Sequence, residues 1–166
     1  MCPPEDTNTS DCGDDNVGNG WRALDASGET GKAVIQNYVD RKQEVSTDYG
    51  KCEGGAAGGC TVGSTVYVDA SFEPGAVALV LGHEDAHHVQ FYSGDWYSTP
   101  EQYADIELGA WDMTRPLFNA LSGLDVYGPQ VVNRFGGTMS GLLDPSIRAA
   151  VRRQLIQSCR ARGCVP

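Results

Sequence analysis

The chain has no apolar run long enough to cross a bilayer. Its longest, Ala76–Leu81, falls far short of the ~20 residues a membrane helix requires, so no membrane span is expected. Positive charge is also scarce, with 12 Lys and Arg against 22 Asp and Glu and a formal net charge of −10. Nucleic-acid recognition rests on a basic footprint, so no nucleic-acid partner is expected. Adhesion to an anionic membrane is disfavoured for the same reason. Histidines number three, which confines any imidazole chemistry to positions 83, 87 and 88. Charged residues, at 20%, are too few for a disordered chain.

What is present suits one compact domain. A chain of 166 residues with 40% hydrophobic content can bury a core of its own. The first residues, Met1-Cys2-Pro3-Pro4-Glu5-Asp6, hold no apolar stretch of a signal peptide. Two readings follow, a cytoplasmic protein or the mature form of an exported one. Six cysteines favour the second, because an even set that clusters in pairs suits an oxidising compartment. Sequential pairing is expected: Cys2 with Cys12, Cys52 with Cys60, Cys159 with Cys164, each flanking a short polar or Gly-rich segment. The expected location is therefore extracellular, with or without attachment at the cell surface, and the expected state a monomer.

Residues 1–20 read as an acidic, irregular arm, and 21–166 as the folded domain. Asp11, Asp14, Asp15 and Asn16 could offer oxygen atoms to calcium but match no EF-hand loop; a solvated acidic loop is the plainer reading. Helical spacing covers about 28–45, through Val34, Ile35, Tyr38 and Val39. Alternation over Thr65–Asp69 predicts a short strand. Residues 76–92 form a strongly apolar helix that ends at Gly94-Asp95. The next helix starts with Thr99 as N-cap, Pro100 in its first turn and Gln102 completing a capping box. It runs to about Leu121, with a kink or break expected at Pro116. Residues 123–141 read as loop, and Asp144-Pro145 opens a last helix to about Arg162.

One motif carries chemistry. His83-Glu84-Asp85-Ala86-His87 places two imidazoles four residues apart on one helix face, where both can reach one metal ion. Glu84 stands beside the first ligand and can act as general base on a water at the metal. A zinc site needs a third protein ligand and keeps one position open. His88 is turned about 100° from His87 and is expected to pack or to pair with Glu84. The third ligand is expected to be a carboxylate, with Glu101 the leading candidate at the start of the next helix. Its alternative role is to complement the helix dipole. Asp105, one turn on, is expected to fix an imidazole by hydrogen bonding. Asp125, in Gly123–Gly128, is a rival ligand of the aspzincin type. Tyr127, Tyr103 and Arg134 are candidates to stabilise an oxyanion, with Tyr127 taken as the catalytic partner of Glu84.

These residues resemble the bacterial predicted neutral zinc metallopeptidases, a gluzincin-like family. The shared pattern is His83-Glu84-x-x-His87-His88-Val89-Gln90, then Glu101-x-x-Ala104-Asp105 with Gly109 and Trp111, preceded by Cys52, Cys60, Tyr67 and Asp69. The resemblance covers about residues 50–112. Ile106 departs from it, standing where the family carries a cysteine. It implies an α+β, mostly helical, minimal zincin-like single domain. It also implies one catalytic zinc held by His83, His87 and Glu101, Glu84 as base, and a peptide or protein substrate. Two other classes stay open: an inactive zinc-stabilised extracellular interaction domain, and a module in which the motif helix is plain core.

Overall fold

The computed structural model describes residues 9, 12, 13, 15–52 and 58–164. Among these residues six helices and a small sheet follow one another as α1 (Asn16–Ala26), α2 (Glu29–Arg41), β1 (Glu44–Ser46), β2 (Gly59–Val62), β3 (Thr65–Val68), α3 (Pro74–Tyr92), α4 (Pro100–Ser122), α5 (Gly128–Gly141) and α6 (Pro145–Arg162). A short 3₁₀ turn, Tyr49–Lys51, lies between β1 and β2. The architecture is α+β and mostly helical, as expected. No helix is long and apolar enough to cross a membrane among the described residues.

Helix α3 is the axis of the molecule. Its first turns are apolar on every side, so it can be stable only with neighbours all round. Every residue from Gly75 to His87 is buried. Helices α1, α2, α4 and α5 and strands β2 and β3 all pack against it. Glycines permit the closest approaches. A Cβ on Gly82 would lie 2.2 Å from Leu117 Cδ2 of α4, and one on Gly20 of α1 would lie 2.8 Å from Val77 Cγ1. Tyr38 of α2 donates its hydroxyl to the Leu81 carbonyl at 3.0 Å, and its ring meets Trp21 edge-on at 5.1 Å.

The sheet is larger than the single strand expected. Its order is β1-β3-β2, with β1 parallel to β3, pairing Val45 with Val66, and β2 antiparallel, pairing Cys60 with Tyr67. Strand β2 is an edge strand that runs over α3. A Cβ on Gly59 would lie 2.4 Å from Val80 Cγ1, so a bare backbone is what lets the strand sit so low.

Several expectations need correction. Helix α1 begins at Asn16, inside the segment read as irregular. Asp15 caps it by accepting from Gly18 N at 2.7 Å, and Val17, Trp21 and Leu24 bury its inner stripe. Of that arm, residues 1–8, 10, 11 and 14 lie outside the described residues, and the Cys2–Cys12 pairing and the calcium reading lie there with them. Helix α2 stops at Arg41, because Lys42 turns left-handed at φ 51°. Helix α4 runs unbroken through Pro116. Proline removes the hydrogen bond to the carbonyl four residues back, and both Pro116 and Asp112 are exposed, where water can take its place. Residues 128–141 form α5 rather than a loop. Val131, Phe135 and Met139, spaced by four, are buried along it.

Helix α6 lies across α4. Arg148 holds Asp112 at 2.6 Å, Arg152 holds Asp105 at 2.7 Å, and Arg160 holds Glu101 at 2.6 Å, an antiparallel ladder of ion pairs. Disulfides join Cys52 to Cys60 and Cys159 to Cys164, as expected for both pairs.

Candidate metal centre

His83 and His87, one turn apart on α3, face α4 across a shared gap. Their rings lie 4.7 Å apart and nearly perpendicular. The carboxylate that meets them is Glu107 of α4: its Oε2 is 3.6 Å from His83 Nε2 and 3.6 Å from His87 Nε2. Taking one donor atom from each residue, the set lies within 4.8 Å of one another. A separation of 3.6 Å is too long for a good hydrogen bond. An ion about 2.0–2.1 Å from each atom in tetrahedral geometry spaces its ligands about 3.3 Å apart. The three residues could therefore hold a metal ion between them. His83 and His87 are buried, so without an ion two imidazole nitrogens face a carboxylate they do not quite reach.

The surroundings select the nitrogen that His87 presents. Gln90 donates its Nε2 to the Ile106 carbonyl at 2.9 Å. A carbonyl only accepts, so that bond sets the orientation of the amide and turns Oε1 to His87 Nδ1 at 3.1 Å. Nδ1 must then carry the proton, which leaves the Nε2 lone pair for a metal. A Cβ on Gly109 would lie 2.8 Å from Gln90 Nε2, so Gly109 leaves room for this bracket. The His83 ring rests against Trp111 at 4.2 Å, and its Nδ1 is buried with no hydrogen-bond partner among the described residues.

Charge is coupled across the centre. Burial opposes protonation of His87, but the neighbouring Glu107 carboxylate, with help from Glu84 and Gln90, outweighs it and raises its pKa. Burial would likewise raise Glu107, yet the two imidazoles reverse this and hold the carboxyl well below its usual range. Both shifts describe a site that attracts positive charge.

Glu84 is buried on the same turn as His83. Thr61 of β2 donates its hydroxyl to Glu84 Oε2 at 2.8 Å, which fixes the carboxylate beside the centre. His83, His87, Glu107, Glu84 and Thr61 open into one cleft of about 940 Å³, lined by α3, α4, α5, β2 and the end of α6. Tyr103, one turn before Glu107, lines it as well. Its phenol is pushed up to about 12, chiefly by burial and next by the Glu107 charge, so it remains a proton donor at neutral pH.

The other expected residues lie elsewhere. Glu101 is partly exposed and paired with Arg160. Asp105 is exposed, held by Arg152 through both oxygens at 2.7 and 3.0 Å, and bonds no histidine. Asp125 is exposed in the α4–α5 turn and is not among the cleft residues. Tyr127 packs against the apolar core and does not line the cleft. His88 points towards the junction of α2 and β1, where its Nε2 meets the side-chain amide of Gln43.

The reason is helical phase. At about 100° per residue, Glu101 and Glu107 stand about 120° apart around α4, and about 9 Å apart along it. Glu107 shares the phase of the buried residues Ala110, Thr114 and Leu121, and Glu101 does not. An acid within the apolar stripe of an amphipathic helix was the available signal. Gln90 carried a signal too, as a buried amide one turn beyond the second histidine.

Comparison of the chain with protein families, with curated proteins and with solved structures finds no match.

Proposed function

We propose that the protein is a zinc-dependent peptidase acting outside the cytoplasm. The observation that carries this reading is the convergence of His83 Nε2, His87 Nε2 and Glu107 Oε2 beside a buried, oriented Glu84 at the floor of an open cleft. Two imidazoles and one carboxylate form a donor set typical of catalytic zinc, with a position left for water. The two disulfides favour an oxidising compartment.

A bound zinc ion supplies a Lewis acid that acidifies water and polarises a carbonyl. Glu84 does the proton work: it takes a proton from the attacking water and hands it to the amine as the peptide bond breaks. Thr61 holds the carboxylate in place for both transfers. Tyr103, rather than Tyr127, is the phenol placed to donate to the oxyanion. Gln90 keeps His87 in its ligating tautomer.

A site that merely staples the fold has no use for Glu84, and this separates the readings. Glu84→Gln keeps zinc, measured by elemental analysis of the dialysed protein, and loses roughly 10²–10⁴-fold in peptide hydrolysis. Hydrolysis at the wild-type rate would end the catalytic reading, and loss of bound zinc would place Glu84 among the ligands.

A further inference from the structure

Taking the peptidase reading as its premise, we infer that the cleft selects substrates by a carboxylate and that Arg134 of α5 is the residue that binds it.

Charge is distributed unevenly over this molecule. The whole chain carries a formal −10, yet the described residues lining the cleft include three cations, Lys51, Arg134 and Arg162, and only two acids, Glu84 and Glu107. Both acids belong to the proposed centre, and a divalent ion there adds further positive charge. A positive cleft in a negative surface concentrates anionic ligands. The acids that face solvent elsewhere repel the same ligands from the remaining surface.

Among the three cations Arg134 is the one built to recognise rather than attract. Arg162 turns back on its own helix and on Tyr103, reaching the Ser158 carbonyl and the phenol at 3.4 Å each. Arg134 has no hydrogen-bond or ion-pair partner among the described residues. Asp69, whose carboxylate feels the Arg134 charge, is engaged with Ser71 through both the backbone N–H and the hydroxyl. The Arg134 guanidinium instead lies over the Phe72 ring, 3.9 Å from its centre. That contact holds a planar fork of donors in a defined place, the arrangement suited to bidentate binding of a carboxylate.

The position is tied to the metal centre by a run of ring contacts. Phe72 meets Phe135 at 6.4 Å, Phe135 meets Trp111 at 5.7 Å, and Trp111 meets His83 at 4.2 Å. Gly58 makes room for the first of these rings. It adopts φ +83°, and a Cβ on it would lie 2.1 Å from Phe72 Cε2. Phe72 precedes α3 and Phe91 lies in its last turn, with the two histidines between. Arg134 over Phe72 therefore lies on one side of the histidines and Phe91, which stacks on Trp96 at 5.0 Å, on the other. A peptide lying along the cleft presents a carboxylate to Arg134, either an Asp or Glu side chain or its own C-terminus.

The experiment has a binding arm and a turnover arm. Pentaalanine peptides carrying one Glu or one Gln at each position in turn, with free or amidated C-termini, are titrated into zinc-loaded Glu84→Gln protein by calorimetry. A carboxylate-bearing peptide binds roughly tenfold or more tighter than its amide, as expected for a charged hydrogen-bonded pair. The difference disappears in Glu84→Gln/Arg134→Met, which keeps apolar cover on Phe72, and reverses in favour of the amide in Glu84→Gln/Arg134→Glu. Dependence on the position of Glu identifies a side chain, and dependence on amidation identifies the C-terminus. Equal binding of acid and amide, or a preference that survives Arg134→Met, overturns the assignment. In the turnover arm the wild type cleaves a peptide library with the same carboxylate preference. A wild type that binds selectively but cleaves nothing defeats the peptidase reading and leaves Arg134 as the carboxylate site.

Discussion

Glu107 and Glu101 make the clearest contrast among single residues. Both are acids on α4, but one faces two buried imidazoles and the other pairs with Arg160. Glu107→Gln is expected to weaken zinc binding by more than the roughly hundredfold typical of losing a residue that only orients a ligand. Glu101→Gln should leave zinc affinity unchanged and melting nearly so, because exposed ion pairs contribute little. Competition with a chromogenic chelator measures both, and the reverse ranking would restore Glu101 as the ligand. Gln90→Ala, which frees the His87 tautomer, should cost about 10–100-fold in the same assay. His88 tests a different face of α3. Burial, and then the charges of Arg41 and His87, hold its pKa down to about 4. Between that value and the free value of about 6.5 the unfolded chain binds more protons than the folded one. Stability conferred by neutral His88 is therefore present above about pH 6.5 and lost as pH falls towards 4. Melting temperatures should fall less on acidification through that window in His88→Gln than in the wild type; parallel slopes would clear His88 of the effect.

At the scale of elements, the distance between α3 and α4 governs the centre, because each helix supplies part of it. Gly82 sets that distance where Leu117, itself fully buried, closes on α3. Gly82→Ala should cost about 1–3 kcal/mol, the usual penalty of overpacking a filled core, and should weaken zinc binding through displacement of Glu107. A chemical denaturation series with a parallel zinc titration measures both effects; full stability would mean that Leu117 yields freely. The elements legible in the sequence were those with strong local signals. The N-cap of α4 was one: Thr99 accepts from Gln102 N at 3.2 Å, and Gln102 reaches back to Ser98 N at 2.8 Å. Helix α5 was hidden because its glycines, at 128, 136, 137 and 141, read as loop. Its Val131, Phe135 and Met139 stripe pays for those glycines only when α3 and α4 are there to receive it.

At the scale of the whole molecule, both disulfides border the cleft. Cys52–Cys60 ties the 3₁₀ turn to β2, and Cys159–Cys164 closes the end of α6 beside Arg162 and Gly163. Neither lies in the main core, so reduction should leave the helices folded while it loosens the walls that Thr61 and Arg162 belong to. Each bridge is worth about 2–4 kcal/mol. Treatment with a phosphine reductant at fixed zinc should lower the melting temperature and the hydrolysis rate together. A reduced protein with full activity would show that the rims need no staples.

The sequence by itself determined what is local. His83 and His87 share a face because four residues make about one helical turn, and Glu84 follows His83 by adjacency. Thr99 and Asp144 open helices because their side chains satisfy N–H groups two or three residues on. The folded structure alone decided which carboxylate completes the set. Glu101 and Glu107 are chemically the same group on one helix, and only the docking of α4 against α3 and α6 turns one inward and the other to an arginine. That choice depends on the rotation of one helix against its neighbours, a quantity set by packing across the core and not by any short run of residues.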